Sequence, residues 1–484
     1  PAHGRASRCT RVQTGARKMK SLKLLLRFLT VGGLVLLLLV PLLMIRGTVN
    51  DRKQYRSQAM ERVSQSMAGP QQVVGPLRIV PYKEVRITDE VGSNGKTIKK
   101  TETLTGYLYQ TPRNLKAEGG MKPDTRRIGL YDVRVFEWSG AVEASFDPLP
   151  VPVAEGRIYG EPYLVIGLAD VRGLVGTPDF KLDGKSLLLE SGSRDLASQM
   201  TGMHAALPQA AGEALPAGLL KANLRLAGTQ SLGIAPLGDS NHINLGSTWP
   251  HPLFGGSFLP NSRTIRNDGF NANWEVSSLA SSAQSQLKRI LSDGEGSLTQ
   301  RSLSSGYDME GKALLMSETS GDAQIDSVQV SLVDPTDVYT QVDRASKYGI
   351  LFVVLTFVGF ALFELIKRLP IHPLQYLLVG LALAIFFLLL LSLSEHIEFW
   401  KAYLVSAAAC IGLQFVYLSG VLRSWWRAAG FAVMLTALYG VLYSLLVSED
   451  NALLMGSLLL FGILSVIMWI TRKVDWYDLG SSLR

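Results

Sequence analysis

Long apolar runs lie at the two ends of the chain, at 28–45 and then at 348–365, 374–393, 402–422, 428–447 and 452–470. Each approaches the roughly 20 apolar residues that a helix needs to cross a bilayer core, with few or no interior charges. The stretch between them, 46–347, is ordinary in polarity and alternates apolar with polar positions, as half-buried strands do. Ala222, Leu224 and Leu226 fall on one face of such a strand, and Val328, Val330 and Leu332 on one face of another. The pattern predicts a membrane protein with six transmembrane helices, one N-terminal and five C-terminal. These carry a large, mainly β domain, sandwich-like and antiparallel.

Further strands are expected at 127–146, 161–168 and 243–249, and Asp183-Gly184 reads as a hairpin turn because Gly tolerates positive φ. No βαβ rhythm and no internal repeat appear. Segments 117–125, 191–217 and 292–312, rich in Gly, Ser or small polar residues, read as loops, the second with a short helix near 196–203.

The pattern divides the chain into a basic cytoplasmic start (1–27), an anchor (28–45), a periplasmic β domain (46–347), a five-helix bundle (348–470) and a cytoplasmic tail (471–484). The first apolar run reads as an uncleaved anchor rather than a signal peptide. It is about 18 residues long and leaves through Met44-Ile45-Arg46 with no small-x-small cleavage site. Polar, helix-compatible sequence at 50–66 continues it as a stalk. Orientation follows from loop charge. Lys367 and Arg368, Arg423 and Arg427, and Arg472 and Lys473 mark cytoplasmic ends, whereas Glu395, Glu398, Glu449 and Asp450 mark the outside. Arg46, Arg52, Lys53 and Arg56 after the first helix oppose this order, but long domains translocate largely regardless of such charges. Trp400, Trp425, Trp426 and Trp469 fall at the rims, where indole rings prefer the headgroup zone.

Charge changes the picture little. Of a net +8, five positive charges (Arg5, Arg8, Arg11, Arg17, Lys18) precede Met19, and +3 remains without them. Met19-Lys20 reads as a start, with residues 1–18 an upstream extension; the alternative is a basic arm for nucleic acid or anionic lipid. The lipid bilayer is the expected partner and nucleic acid is not. Two cysteines occur, Cys9 and Cys410, so no disulfide can staple 46–347. A domain of about 300 residues buries enough apolar surface without one.

Candidate chemistry is sparse. His204, His242 and His251 show no metal-ligand spacing, although His242 and His251 would meet if their strands paired. Ser285-Gln-Leu-Lys288 matches the S-x-x-K nucleophile pattern, but its K-T-G companion is absent and Gly238-Asp-Ser-Asn241 falls on the wrong side in chain order. An exposed helix face is the simpler account. Glu364, with Lys367 and Arg368 at i+3 and i+4, reads as a local ion pair rather than a relay. No other carboxylate lies in a span, which disfavours an ion or solute carrier. Gln375, Ser406, Gln414, Tyr417 and the Ala408-x3-Gly412 pair suit interhelical packing.

Several strings resemble those of the CreD family of inner-membrane proteins. They are the anchor ending Pro41-Leu-Leu-Met-Ile-Arg46, Gly69-Pro-Gln-Gln-Val-Val-Gly-Pro76, Arg127-Ile-Gly-Leu-Tyr131 and Ala169-Asp-Val-Arg-Gly173. Thr248-Trp-Pro-His-Pro252 with Phe258-Leu-Pro260, Asp343-Arg-Ala-Ser-Lys-Tyr348, His372-Pro-Leu-Gln-Tyr-Leu-Leu-Val-Gly380, Leu393-Ser-Glu-His396 and Val474-Asp-Trp-Tyr477 follow in order. The resemblance runs from Met19 to Tyr477, and residues 1–18 depart from it.

The resemblance implies a bacterial inner-membrane protein linked to a carbon-source and stress-responsive regulon, cell-envelope integrity and colicin tolerance. It carries no catalytic residue and no cofactor. The expected function is non-enzymatic envelope maintenance, in which the β domain binds or senses an envelope partner. The alternative is a membrane-bound enzyme acting on envelope polymer or lipid. The surface motifs that stand out are Gly69 to Pro76 and, as the candidate binding site, Trp249, Pro250, His251 and Pro252.

Overall fold

The structure is a computed structural model that describes residues 6–91, 97–293, 298, 305–307, 313–315, 325–333, 338–367, 372–421, 424–447 and 452–472. The expected loop at 448–451, the tail beyond 472, Arg368, Arg423 and most of 292–312 lie outside the described residues, as do the side chains of Cys9, Glu364 and Lys367. The chain divides into two compact units, Pro1–Tyr55 with Thr336–Arg484, and Arg56–Pro335.

The first unit is helical. It holds most of α1 (Ala6–Ser66) and, after the β unit, α3 (Val338–Lys367), α4 (Pro373–Ser394), α5 (Phe399–Val421), α6 (Trp425–Val447) and α7 (Ala452–Thr471). Among the described residues, five helical stretches are long and apolar enough to cross a membrane: Gly32–Ser66, Val338–Ala361, Pro373–Ser394, Phe399–Val421 and Trp425–Val447. Helix α7 lies where the sixth span was expected, and its described apolar stretch, Gly456–Ser465, is shorter than the other five. The stalk reading of 50–66 holds, since α1 continues unbroken to Ser66. α4 starts where His372 and Gln375 exchange caps: Leu374 N–H donates to His372 Nδ1 and His372 N–H to Gln375 Oε1.

Packing within this unit uses small residues at close approach. A Cβ on Gly380 would strike Leu38, and one on Gly349 would meet Leu42 and Phe387. Leu38, Leu42, Ile45 and Val49, one helical face of α1, are buried. The Ala408-x3-Gly412 pair does not serve as expected. Both residues are exposed, because the inward face of α5 is the one through Tyr403, Ser406, Cys410 and Gln414. Charges also tie the helices together. Arg52 pairs with Glu395 (3.3 Å), and Asp343 takes both Lys53 (3.2 Å) and Lys347 (3.1 Å).

The second unit is a two-sheet sandwich. Its strands in chain order are β1 (Gln71–Val91), β2 (Thr97–Gln110), β3 (Asn114–Ile128), β4 (Tyr131–Phe146), β5 (Arg157–Tyr159), β6 (Tyr163–Leu168), β7 (Asp179–Leu182), β8 (Lys185–Ser186), β9 (Glu190–Ser191) and β10 (Gly202–Ala206). They continue as β11 (Gly218–Thr229), β12 (Ser231–Ile234), β13 (Ser240–Ser247), β14 (Pro252–Gly256), β15 (Ser262–Arg266), β16 (Gly269–Ser277), β17 (Ser305–Tyr307), β18 (Ala313–Leu315) and β19 (Val328–Leu332), with helix α2 at Ala283–Asp293. One sheet runs β14-β19-β12-β1-β6-β10-β9, with β2 and β5 also on β1. The other runs β15-β16-β13-β3-β4-β11-β7-β8.

The sheets are mixed, not purely antiparallel as expected. β1 pairs with β12, and β3 with β13, in parallel. Alternation along a strand records which face is buried but not the direction of its neighbour. Here the chain repeatedly crosses between sheets, as from β12 to β13 and on to β14, instead of folding back hairpin by hairpin, and these crossings bring parallel partners together.

The expected loop at 117–125 is instead the middle of β3. Trp138 of β4 lies across the Gly119–Gly140 pair, so that a Cβ on either glycine would run into its indole. The glycines there make room for a buried tryptophan rather than a turn. In 191–217, β10 interrupts the expected loop and a short 3-10 turn at Arg194–Leu196 stands in place of the expected helix, while most of the rest is turn and coil. The hairpin at Asp183-Gly184 holds, both residues having positive φ between β7 and β8.

The main core fills the space between the sheets. It includes Ala222, Leu224 and Leu226 of β11, Trp274 of β16, and Val328, Val330 and Leu332 of β19. The nine-stranded sheet is covered on its other face too. Val74, Leu77, Tyr163 and Val165 pack there with Ala283, Leu287 and Ile290 of α2. Burial on both faces explains why β6 reads as a continuous apolar run.

Candidate functional site

Trp249, Pro250, His251 and Pro252 lie where the chain leaves β13 in one sheet and enters β14 in the other. The half-buried indole of Trp249 packs against the main core, and its Nε1–H is shared between the carbonyls of His251 and Val333, each at 3.1 Å. The Arg134 guanidinium stacks over the ring at 4.3 Å, and the His251 ring meets it edge-on at 5.9 Å. Pro252 opens β14 opposite Leu332. Trp249 therefore fastens the crossing between sheets. His251 is the exposed member of the four, with Pro250 and Pro252 half-buried beside it.

His242 and His251 are not brought together by strand pairing, since β13 and β14 belong to different sheets. His242 instead faces Glu275 at 3.8 Å on the paired strand β16. His204 is buried, with Nδ1 2.8 Å from the Gly192 carbonyl and Nε2 3.5 Å from Glu190. Ser285 and Lys288 are exposed on α2, and the Ser285 hydroxyl donates to the Ser282 carbonyl at 2.7 Å, as the exposed-face reading expects. Asn241 is buried and holds a turn, accepting from Gly238 N–H and donating to the Gly238 and Val276 carbonyls. Among the described residues, no group of three or more His, Cys, Asp or Glu is placed to hold a metal ion.

A second arrangement escaped sequence reasoning as a unit. Gly69 N–H donates to Asp170 Oδ2, and the buried Gln71 amide bridges the Asp170 and Ala227 carbonyls, 3.0 Å each. Arg172 pairs with Asp170 at 2.5 Å and reaches on to the carbonyls of Ser64 and Gln65 in the last turn of α1. Burial pushes the Asp170 carboxyl up, but the Arg172 guanidinium and the Gly69 and Arg172 amides outweigh it and leave the group below the usual carboxylate range. Val63 of α1 packs with Val133 and Val135 of β4, and the Ser64 and Thr229 hydroxyls meet at 2.9 Å. The last turns of α1 are thus locked into the β unit by strings from 69–76 and 169–173, which the sequence showed separately.

Comparison with known proteins agrees with these landmarks. The family model for "Inner membrane protein CreD" matches residues 23–477. The chain belongs to the CreD family. The "Inner membrane protein CreD" of Escherichia coli (strain K12) is 34% identical over 448 residues, covering 92% of each chain. As a member of this family the chain is an inner-membrane protein, with several membrane-spanning helices in contact with lipid. Among solved structures, an M1 zinc metallopeptidase from Deinococcus radiodurans matches with 13% identity over 34% of this chain and 38% of its own, at a TM-score of 0.18. That score is too low to say anything about fold or function.

Proposed function

We propose that this CreD-family protein maintains cell-envelope integrity by presenting its β unit on the periplasmic side of the inner membrane, where the surface at Trp249, Pro250, His251 and Pro252 binds an envelope component. Family membership over residues 23–477 carries this reading. Loop charge supports the orientation: Glu395 and Glu398 follow α4, while Arg427 opens α6. With α7 as the sixth span, both termini are cytoplasmic. The motif supports the site because Trp249 is fixed from three sides while His251 faces solvent. The division of labour follows from that geometry. Trp249 supplies rigidity, and His251 with the two prolines supplies the contact, a preorganised surface that loses little entropy on binding. Stress response and colicin tolerance belong to the same reading, as consequences of an envelope contact rather than of a chemical step.

The test is photo-crosslinking in intact cells from a photoreactive residue in place of His251, with the same residue in place of Arg263 on the exposed strand β15 as control. Capture of one envelope component from 251 and not from 263 is expected. An identical capture pattern from both positions, or unchanged envelope sensitivity when Pro250 and His251 are both replaced by Ala, contradicts the site.

A further inference from the structure

The inward face of α5 is more polar than a bundle interior requires. Tyr403, Ser406, Cys410 and Gln414 follow one another at three- and four-residue spacing, so they form one stripe. Ser406 to Gln414 alone spans about 12 Å of helix. All four are buried by neighbouring helices: Ser406 is 0% exposed and Gln414 2%.

The stripe is only half satisfied. At one end the Tyr403 hydroxyl donates to the Tyr439 carbonyl of α6 at 2.6 Å, and in the middle the Cys410 thiol points to the Ala382 carbonyl of α4 at 3.2 Å. The Ser406 hydroxyl and both ends of the Gln414 amide are fully buried with no hydrogen-bond partner among the described residues, and the buried Tyr439 hydroxyl has only the Cys410 thiol beside it. Ser406 is unlike its neighbours in sequence. Ser394, Ser419, Ser444, Ser457 and Ser465 each give their hydroxyl to a carbonyl three or four residues back in their own helix. That local bond is open to any helical serine. Ser406 forgoes it and turns its oxygen into the bundle.

An amide with four hydrogen-bonding positions and a hydroxyl, dry and unpaired in a membrane interior, would sacrifice a large share of a domain's net stability. Apolar side chains of similar size would fill the same space without that loss. The unpaired groups are neutral donors and acceptors, which suit an uncharged occupant rather than an ion.

We propose that Ser406, Cys410 and Gln414 of α5, with the Tyr439 hydroxyl of α6, form a hydrated site inside the helical unit that takes small, uncharged molecules able both to donate and to accept hydrogen bonds, with water as the resting occupant. Ser406, Gln414 and Tyr439 bind the occupant, and Cys410 reports it, since a thiol beside exchangeable water trades its proton while a thiol in dry hydrocarbon does not.

The experiment uses the full chain in lipid bilayers, with Cys9→Ser so that Cys410 is the single thiol, and follows its S–H infrared band after transfer to deuterated water. Conversion to S–D within minutes is expected, and the Ser406→Ala, Gln414→Leu double variant slows it at least tenfold. An S–H band that survives for hours in the otherwise unchanged protein overturns the proposal, whether or not the double variant folds. So does exchange as fast in the double variant as without it. Melting temperature gives an independent reading: unchanged or lowered in the double variant if the groups are hydrated, raised if they are dry.

Discussion

The Asp170 carboxylate holds the Arg172 guanidinium at 2.5 Å, and that guanidinium caps the Ser64 and Gln65 carbonyls at the end of α1. The last carbonyls of a helix have no partner within it, and a cation there also meets the negative end of the helix dipole. Arg172→Ala is therefore expected to lower the denaturant midpoint of the β unit, because the Ser64 and Gln65 carbonyls lose their donor and Asp170 its cation. Lys at 172 should not restore the loss, because a single ammonium cannot fork between carboxylate and carbonyls. Denaturant titration of the full chain checks the shift. Hydrogen exchange, faster at 60–66 in the variant, checks the location.

The same pair sets an acid sensitivity. Asp170 titrates below its unfolded value, so its contribution is fully present above about pH 4 and is lost as pH falls through the folded value. Glu84, held down first by its hydrogen bond from Arg157, acts in the same direction. Melting temperature should fall steadily below about pH 4 and should fall less steeply in Arg172→Ala, where Asp170 returns toward its ordinary range. Parallel curves for the two proteins would contradict the assignment.

Within the helical unit, the Glu395 side chain is 6% exposed and faces Arg52 of α1 at 3.3 Å. Removing one member of such a pair leaves the other buried without compensation. Arg52→Ala is expected to cost about 2 kcal/mol, and Glu395→Gln less, since a neutral amide tolerates burial better. Thermal unfolding in detergent ranks the two, and the reverse order would show that the pair does not act this way.

Gly119 and Gly140 face each other across β3 and β4 under the Trp138 indole. Gly140→Ala forces that buried ring out of place, with an expected loss of about 3 kcal/mol. Gly120→Ala, beside Gly119 in β3 and meeting nothing within 4 Å, should stay within about 0.5 kcal/mol. Equal effects at the two positions would contradict the packing.

These residues also mark where sequence reasoning succeeds and where it stops. β11 was legible because one face is buried and the side chains alternate to match, and β19 because its residues alternate in polarity although both its faces are covered. β3 was not, because glycines chosen to fit Trp138 look like loop glycines when their neighbour across the sheet is unknown. Apolar length exposed the membrane helices, whereas the parallel pairing of β1 with β12 rests on partners about 160 residues apart and leaves no local trace. Trp249 stood out by composition. Its role did not, because one of its two hydrogen-bond acceptors, Val333, comes 84 residues later. Arg172 was visible within a familiar string, but nothing in its spacing pointed to the end of α1.

Cysteine labelling reads out whether the β unit faces the periplasm. His251→Cys and Arg427→Cys are compared in the Cys9→Ser background, where Cys410 is buried, using a maleimide that cannot cross the inner membrane. With the outer membrane permeabilised and the inner membrane intact, Cys at 251 should label at once and Cys at 427 only after lysis. Labelling at 427 in intact cells, with 251 protected until lysis, would invert the topology and remove the basis for an envelope-facing site.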